Sequence, residues 1–279
     1  MRRLIPGWPW SLLPIILFAV LSGFCGASFA QTGSSQPAQD PDFIVPARPT
    51  VSNPAEFQLP GVLQLQFGYD RDLNEPGLRA VQDMPATLRF AASRRILLEF
   101  DFDGYTSQTS DDGVRVSSVG DMQFGIQTVM RHENERGPGM AVSYFIKAPT
   151  ASSSKGLGSG RVDHSFLFLI SRTYRSVTLD FNAVYLLTAR TSDTGHASSG
   201  QGAFAASYAL TRRFGLQGEI SGIGRLDTEP GALFALGAVT YQVNRRVVLD
   251  AGVRFGLSHD APATGFICGV TIGIANLYR

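Results

Sequence analysis

Residues 119–150, VGDMQFGIQTVMRHENERGPGMAVSYFIKAPT, alternate in character, break at a polar knot, and alternate again. Met122, Phe124, Ile126 and Met130, with Thr128 among them, are separated by Gln123, Gly125 and Gln127. Beyond RHENERGPG, Val142, Tyr144 and Ile146 alternate with Ser143 and Lys147. A period of two sends successive side chains to opposite faces, so each half reads as one arm of a β-hairpin with an apolar and a polar side. The pattern leaves two folds open. A soluble sandwich turns its apolar face inward, whereas an outer-membrane barrel turns it outward to lipid.

The chain start bears on that choice. Arg2 and Arg3 precede an apolar run at 12–20, and Ser28-Phe29-Ala30 offers small residues at the cleavage-determining positions. Residues 1–30 are therefore predicted to be a secretory signal peptide, with Gln31 first in the mature chain. A membrane-anchoring helix needs about twenty unbroken apolar residues, and Pro14 interrupts this shorter run. LSGFC resembles a lipoprotein cleavage site, but Phe24 stands where a small residue belongs. Cleavage removes Cys25 and leaves Cys268 alone, which excludes an internal disulfide framework. It also leaves 22 basic against 23 acidic residues, a balance that points to no nucleic-acid partner. Residues 31–60 carry six prolines among Gln, Ser and Thr. They form an expected extended lead-in that cannot build its own core. A plug or a periplasmic docking arm is the functional alternative for it.

From residue 61 to 279 no apolar period of 3.6 is sustained, and alternating runs recur about twelve times. They fall near 62–70, 84–92, 96–105, 122–130, 140–148, 163–171, 177–187, 203–210, 214–224, 232–241, 247–257 and 265–274. Each has about the nine to eleven residues that a tilted strand needs to cross a bilayer. Five connections are brief and basic, at 93–95, 131–139, 172–175, 211–214 and 244–246. The connections between them are mostly longer and rich in Gly, Ser, Thr, Asp and Pro. Short turns at one end and long loops at the other are the asymmetry of an up-and-down antiparallel transmembrane β-barrel, with both chain ends on the periplasmic side. Tyrosines gather near the two ends of the runs, as an interfacial girdle would place them.

The polar faces carry the candidate site. Glu99, Asp101 and Asp103 alternate with Leu98, Phe100 and Phe102, and Asp180 and Asn182 alternate with Leu179, Phe181 and Ala183. Arg89, Lys147, Glu219, Asp250 and Arg254 occupy equivalent positions in their runs. These nine charged residues are the candidate lumen-lining set. They would either choose which solutes pass or pair with one another to satisfy charge in a filled barrel.

With the strands placed, three stretches resemble a known family: GDMQFGIQTVM, APTASSSKGLGSGRVDHSFLFLISR and VVLDAGVRFGLSHDAPATGFICGVTIGI. ATLRFAASRRILLEF is similar to its early strand pair, and QDPDFIVPARP to its lead-in. The family is the outer-membrane one named for the phenol meta-degradation pathway. The resemblance implies a porin-like or transporter-like barrel associated with uptake of aromatic or other hydrophobic compounds. The chain departs from the usual outer-membrane ending, since Tyr278 is penultimate and Arg279 last.

Other motifs carry less. KGLGSG at 155–160 would need a following helix to cradle phosphate, and none is predicted. His164 and Ser165 invite a lipid-hydrolase reading, but neighbouring strand residues face opposite ways. His132, His164, His196 and His259 show no metal spacing. The sequence therefore predicts a twelve-stranded outer-membrane barrel that passes or binds a small, hydrophobic or aromatic molecule, with no catalytic residues, metal or cofactor. Its expected partners are outer-membrane lipid, the solute and the barrel-assembly machinery. A structural or surface-interaction barrel with a sealed lumen is the alternative, and a barrel lipid hydrolase comes behind it.

Overall fold

The computed structural model describes residues 43–190, 194–224 and 231–278. The predicted signal peptide and lead-in residues 31–42 lie outside the described residues. From the N-terminal side the strands are β1 (Val62–Glu75), β2 (Leu78–Ala91), β3 (Ile96–Ser110), the short β4 (Arg115–Ser118), β5 (Met122–Arg131) and β6 (Gly139–Ala148). They continue as β7 (Asp163–Tyr174), β8 (Val177–Ala189), β9 (His196–Ala209), β10 (Phe214–Ile223), β11 (Ala232–Asn244), β12 (Val247–Gly256) and β13 (Thr264–Asn276). All pairings are antiparallel and, apart from β1 with β13, join neighbours in the chain, with β3 passing over β4 to join β5. β1 pairs with β13 from Val62↔Asn276 to Leu73↔Thr264. That seam closes twelve strands into a barrel and leaves no open edge.

The alternation decides which face meets what. Outward positions hold the large apolar side chains, among them Phe124 and Ile220, each 52% exposed. Inward positions on the same strands hold Gln127 and Glu219, which are 0% and 4% exposed. Apolar surface on the outside with polar groups inside is the signature of a barrel bathed in lipid. No helix among the described residues is long and apolar enough to cross a membrane, so the crossing is made by strands.

The structure differs from the sequence expectation in three places. Residues 71–83 read as an outer loop, yet β1 and β2 continue through them until Glu75 pairs with Leu78. The remaining turn is Pro76-Gly77, with Gly77 at φ 82°. Proline followed by a residue with positive φ is the order of a type II turn. This outer connection is therefore among the tightest, against the general rule for that end. β9 starts at His196, before the predicted 203, because ladder hydrogen bonds hold the polar stretch HASSGQG without any apolar alternation. The third is β4, which folds back from an outer loop onto Thr106–Thr109 of β3.

One irregularity lies in the wall itself. The β1–β2 ladder jumps from Phe67↔Ala86 to Asp70↔Asp83, and the β2–β3 ladder shifts register between Asp83 and Pro85. Proline has no amide hydrogen to donate, so a ladder through Pro85 is broken on one side and bulged on the other.

Candidate functional site

Residues 43–60 form neither strand nor helix and run inside the barrel. A proline-rich chain cannot join the wall, so its buried amides and carbonyls must find side-chain partners. Inward-facing Gln, Asn, Ser and Glu supply them. Val45 exchanges two hydrogen bonds with the Gln64 amide, each 3.0 Å, and its carbonyl also accepts from Arg89 Nη1. Val51 N, Ser52 N and Ser52 Oγ all donate to the Glu219 carboxylate, at 3.1, 2.7 and 2.6 Å. Asn53 is held both ways by Asn182, at 2.7 and 2.9 Å. Ala55 N donates to Ser171 Oγ, and Gln127 Nε2 donates to the Pro54 and Ala55 carbonyls. Glu56 then accepts from His132 and from the Glu133 amide, on the periplasmic turn between β5 and β6. The segment thus enters beside β1 and β2, crosses to β10 and β8, and returns beneath β7 and β5. It occupies the periplasmic half of the lumen.

The nine predicted lumen residues fall into distinct environments. Arg89 and Glu99 face each other across β2 and β3, with Arg89 Nε 2.9 Å from Glu99 Oε2. That nitrogen is close enough for an ion pair but is not aimed along a hydrogen bond. Lys147 bridges Asp121, at 2.9 Å, and Asp163. Arg254 pairs with Asp72. Asp250 faces Arg48 of the internal segment at 3.8 Å, while Arg48 Nη2 lies 2.9 Å from Asp70. The Arg48 guanidinium rests on Gly68, where a Cβ would collide with it. Asp180 accepts from Ser171 Oγ, and Glu219 anchors the segment as described. Asp101 and Asp103 have no ion-pair partner among the described residues. Arg48, Asp72 and Asp121 went unrecognised in the sequence because they lie in stretches read as lead-in or loop.

Above the internal segment is a cavity of about 310 Å3. Val51 and Asn53 of the segment line it, with Asp101, Gln123, Phe145, Leu167, Val184 and Leu186 among the wall residues. Phe145 is 7% exposed and leans over Gly125, where a Cβ would collide with the Phe145 ring. The glycine therefore makes room for the ring. The apolar wall has a sequence signal that the alternation argument passes over. Tyr144-Phe145-Ile146, Phe166 through Ile170 and Ala183 through Leu187 are unbroken or nearly unbroken apolar runs on three consecutive strands. Where alternation fails in a barrel strand, both faces are apolar, and the lumen acquires a greasy patch. The remaining motifs stay apart from this cavity. His164 points outward and its Nδ1 lies 2.8 Å from Tyr144 Oη, whereas Ser165 points into the cavity. Lys155 donates to the Ser117 carbonyl in the outer loops, beside a single 3-10 turn at Ser153–Lys155. The described residues contain no cluster of three or more metal-ligating side chains.

The model of the family described as "MetA-pathway of phenol degradation" matches residues 47–272, the internal segment and nearly the whole barrel together. The chain belongs to this family. No curated protein matches it. Among solved structures, this phenol-degradation family member is similar to an outer membrane channel from Pseudomonas putida F1, with a TM-score of 0.63 and 14% identity. That match covers 78% of this chain and 97% of the channel, and it shows a shared outer-membrane barrel fold. A monoaromatic hydrocarbon channel, CymD, is more distant, with a TM-score of 0.49, 10% identity, and coverage of 79% and 90%. Outer membrane phospholipase A from Escherichia coli matches at a TM-score of 0.44 and 13% identity, covering 81% and 95%.

Proposed function

We propose that the protein is an outer-membrane channel or transporter for small apolar molecules of about the size of one aromatic ring. One observation carries this reading. Phe145, Leu167, Val184 and Leu186 together line a cavity in the lumen that also holds Asp101 and Gln123. A barrel that served only as a scaffold gains nothing from apolar side chains turned toward water. Ligand sites begin at about 300 Å3 and combine apolar walls with placed polar groups, and this cavity has such a volume and a lining of both kinds. The family's description, which names phenol degradation, supports the same class of solute.

The sealed-lumen alternative also has an observation in its favour, since residues 43–60 fill the periplasmic half and are held at many points. In the channel reading that segment is a gate that shifts to let solute through. The hydrolase reading finds no support in the geometry. His164 and Ser165 lie on opposite faces of β7.

Single-channel recording of the purified protein in planar bilayers, with and without aromatics, tests the proposal. Conductance events that aromatics block or modulate are expected. A silent bilayer, together with no aromatic flux into reconstituted vesicles, would favour the sealed barrel. Phospholipid turnover by the same preparation would revive the hydrolase.

A further inference from the structure

The cavity above the internal segment is polar at its β3–β5 end, and along β6, β7 and β8 it sets Phe145, Leu167, Val184 and Leu186 beside Ser165 and Asn182. Asp101 and Gln123 are registered partners on β3 and β5, and Phe145, Leu167 and Val184 follow them around the wall. Among the described residues, Asp101 is the one charged group lining the cavity. Its carboxylate forms no ion pair among the described residues. The nearby cations are already committed, Arg89 to Glu99 and Lys147 to Asp121 and Asp163. An ionised carboxylate offers about four acceptor sites, so most of its capacity faces the cavity unused. Gln123 adds an amide with no hydrogen-bond partner among the described residues.

We propose that this cavity is a binding site for apolar rings that carry a hydrogen-bond donor, and that Asp101 is the residue that selects them. The proposal rests on the solute-path reading above and adds the chemistry of the solute. A ring seated against Phe145 and Leu167 places a hydroxyl or amino group toward Asp101, where it donates to the carboxylate. Phenols and aromatic amines meet both requirements. A hydrocarbon such as toluene fills the apolar part but leaves the carboxylate facing an apolar ligand, stripped of water and without a donor. A carboxylated ring such as benzoate sets like charges together and is excluded. Sites built to hydrogen-bond a hydroxyl reject analogues lacking it far more strongly than apolar pockets reject a missing methyl. The selectivity therefore comes from one acid and not from the shape of the wall.

The test uses the full mature chain in lipid nanodiscs, with empty nanodiscs subtracted, and titrates phenol, aniline, toluene and benzoate by ligand-observed NMR. Phenol and aniline are expected to bind about tenfold more tightly than toluene, the worth of a hydrogen bond to a charged acceptor, and benzoate to show no binding. Asp101→Leu should bring phenol down to the level of toluene and leave toluene unchanged or improved. Asp101→Asn has nearly the same shape and covers the case in which the leucine variant fails to assemble. It keeps an acceptor for phenol but should admit benzoate. Equal affinity for phenol and toluene in the native protein overturns the selection by Asp101, as does an Asp101→Asn variant that still excludes benzoate. In either case toluene binding leaves the solute path standing. Absence of binding by all four, with no flux into vesicles, removes the solute path itself.

Discussion

Glu219 is nearly fully buried and accepts from two backbone amides and a hydroxyl of the internal segment, and it forms no ion pair among the described residues. A carboxylate so placed depends on those donors, and the donors on it. Hydrogen bonds to a charged acceptor are worth about 1.5–3 kcal/mol each, so Glu219→Ala should loosen the segment near Val51 and Ser52. The expected readout is longer or more frequent opening in single-channel records, with the barrel still resistant to unheated detergent. Records that match the native protein would show that this anchor does not govern the lumen. A second pair of substitutions probes the wall. Phe181 is outward and 43% exposed, and Phe181→Arg puts a cation among lipid tails at a cost of about 2–4 kcal/mol near the midplane. Gln123→Arg puts the same cation into the lumen, beside Asp101. Assembly, followed as the fraction that migrates faster on unheated gels, should fall for Phe181→Arg and hold for Gln123→Arg.

Strands and internal segment were legible to different degrees, and the reason is physical. Each membrane-crossing strand must be apolar on one side for about nine residues, which leaves a periodic trace that can be read directly. β5 and β6 coincide with their predicted runs almost residue for residue. β9 was cut short because its outer part leaves the membrane, where the backbone ladder needs no apolar side chains. The position of residues 43–60 left no such trace. They are held through backbone groups, and a backbone hydrogen bond places no demand on the residue that supplies it. The signal lay in the receptors instead: Gln64, Gln127, Ser171, Asn182 and Glu219 are polar groups gathered on the periplasmic half of the inward face. Of the candidate site, the charges were legible from alternation, whereas Phe145, Val184 and Leu186 were hidden in runs that are apolar on both sides. Deleting residues 43–58 tests the division. The wall should still assemble and show the heat-dependent gel shift, and its conductance should rise severalfold because the periplasmic half of the lumen is then water.

Lipid contact around the whole circumference predicts that the protein fractionates with the outer membrane and runs faster on gels before boiling than after. Recovery in a detergent-free periplasmic extract would end the barrel reading. Charge across the lumen predicts weak selection among ions. Most inward bases are matched by acids, but Asp101 and Asp103 are not, so the outer half carries a residual negative field. Small cations should pass somewhat more readily than anions, and the preference should shrink as added salt shortens the screening length. Reversal potentials that favour anions would place the controlling charges elsewhere. The route of residues 43–60 has a further consequence, which concerns time. The segment arrives from the periplasmic end, and at Gly61 it returns there to begin β1. It can therefore withdraw without parting any rung between strands, and the wall can stay closed while the interior empties. Proteins open in units of unequal stability, and here the boundary between two units is drawn by connectivity. The amide hydrogens of Val51, Ser52, Asn53 and Ala55 should exchange with solvent at the tempo of that withdrawal. Those of the wall, such as Leu97 and Leu169, should wait for the barrel to unravel. Hydrogen exchange followed from seconds to days would separate the two rates, and the faster one is the interval at which the passage becomes available.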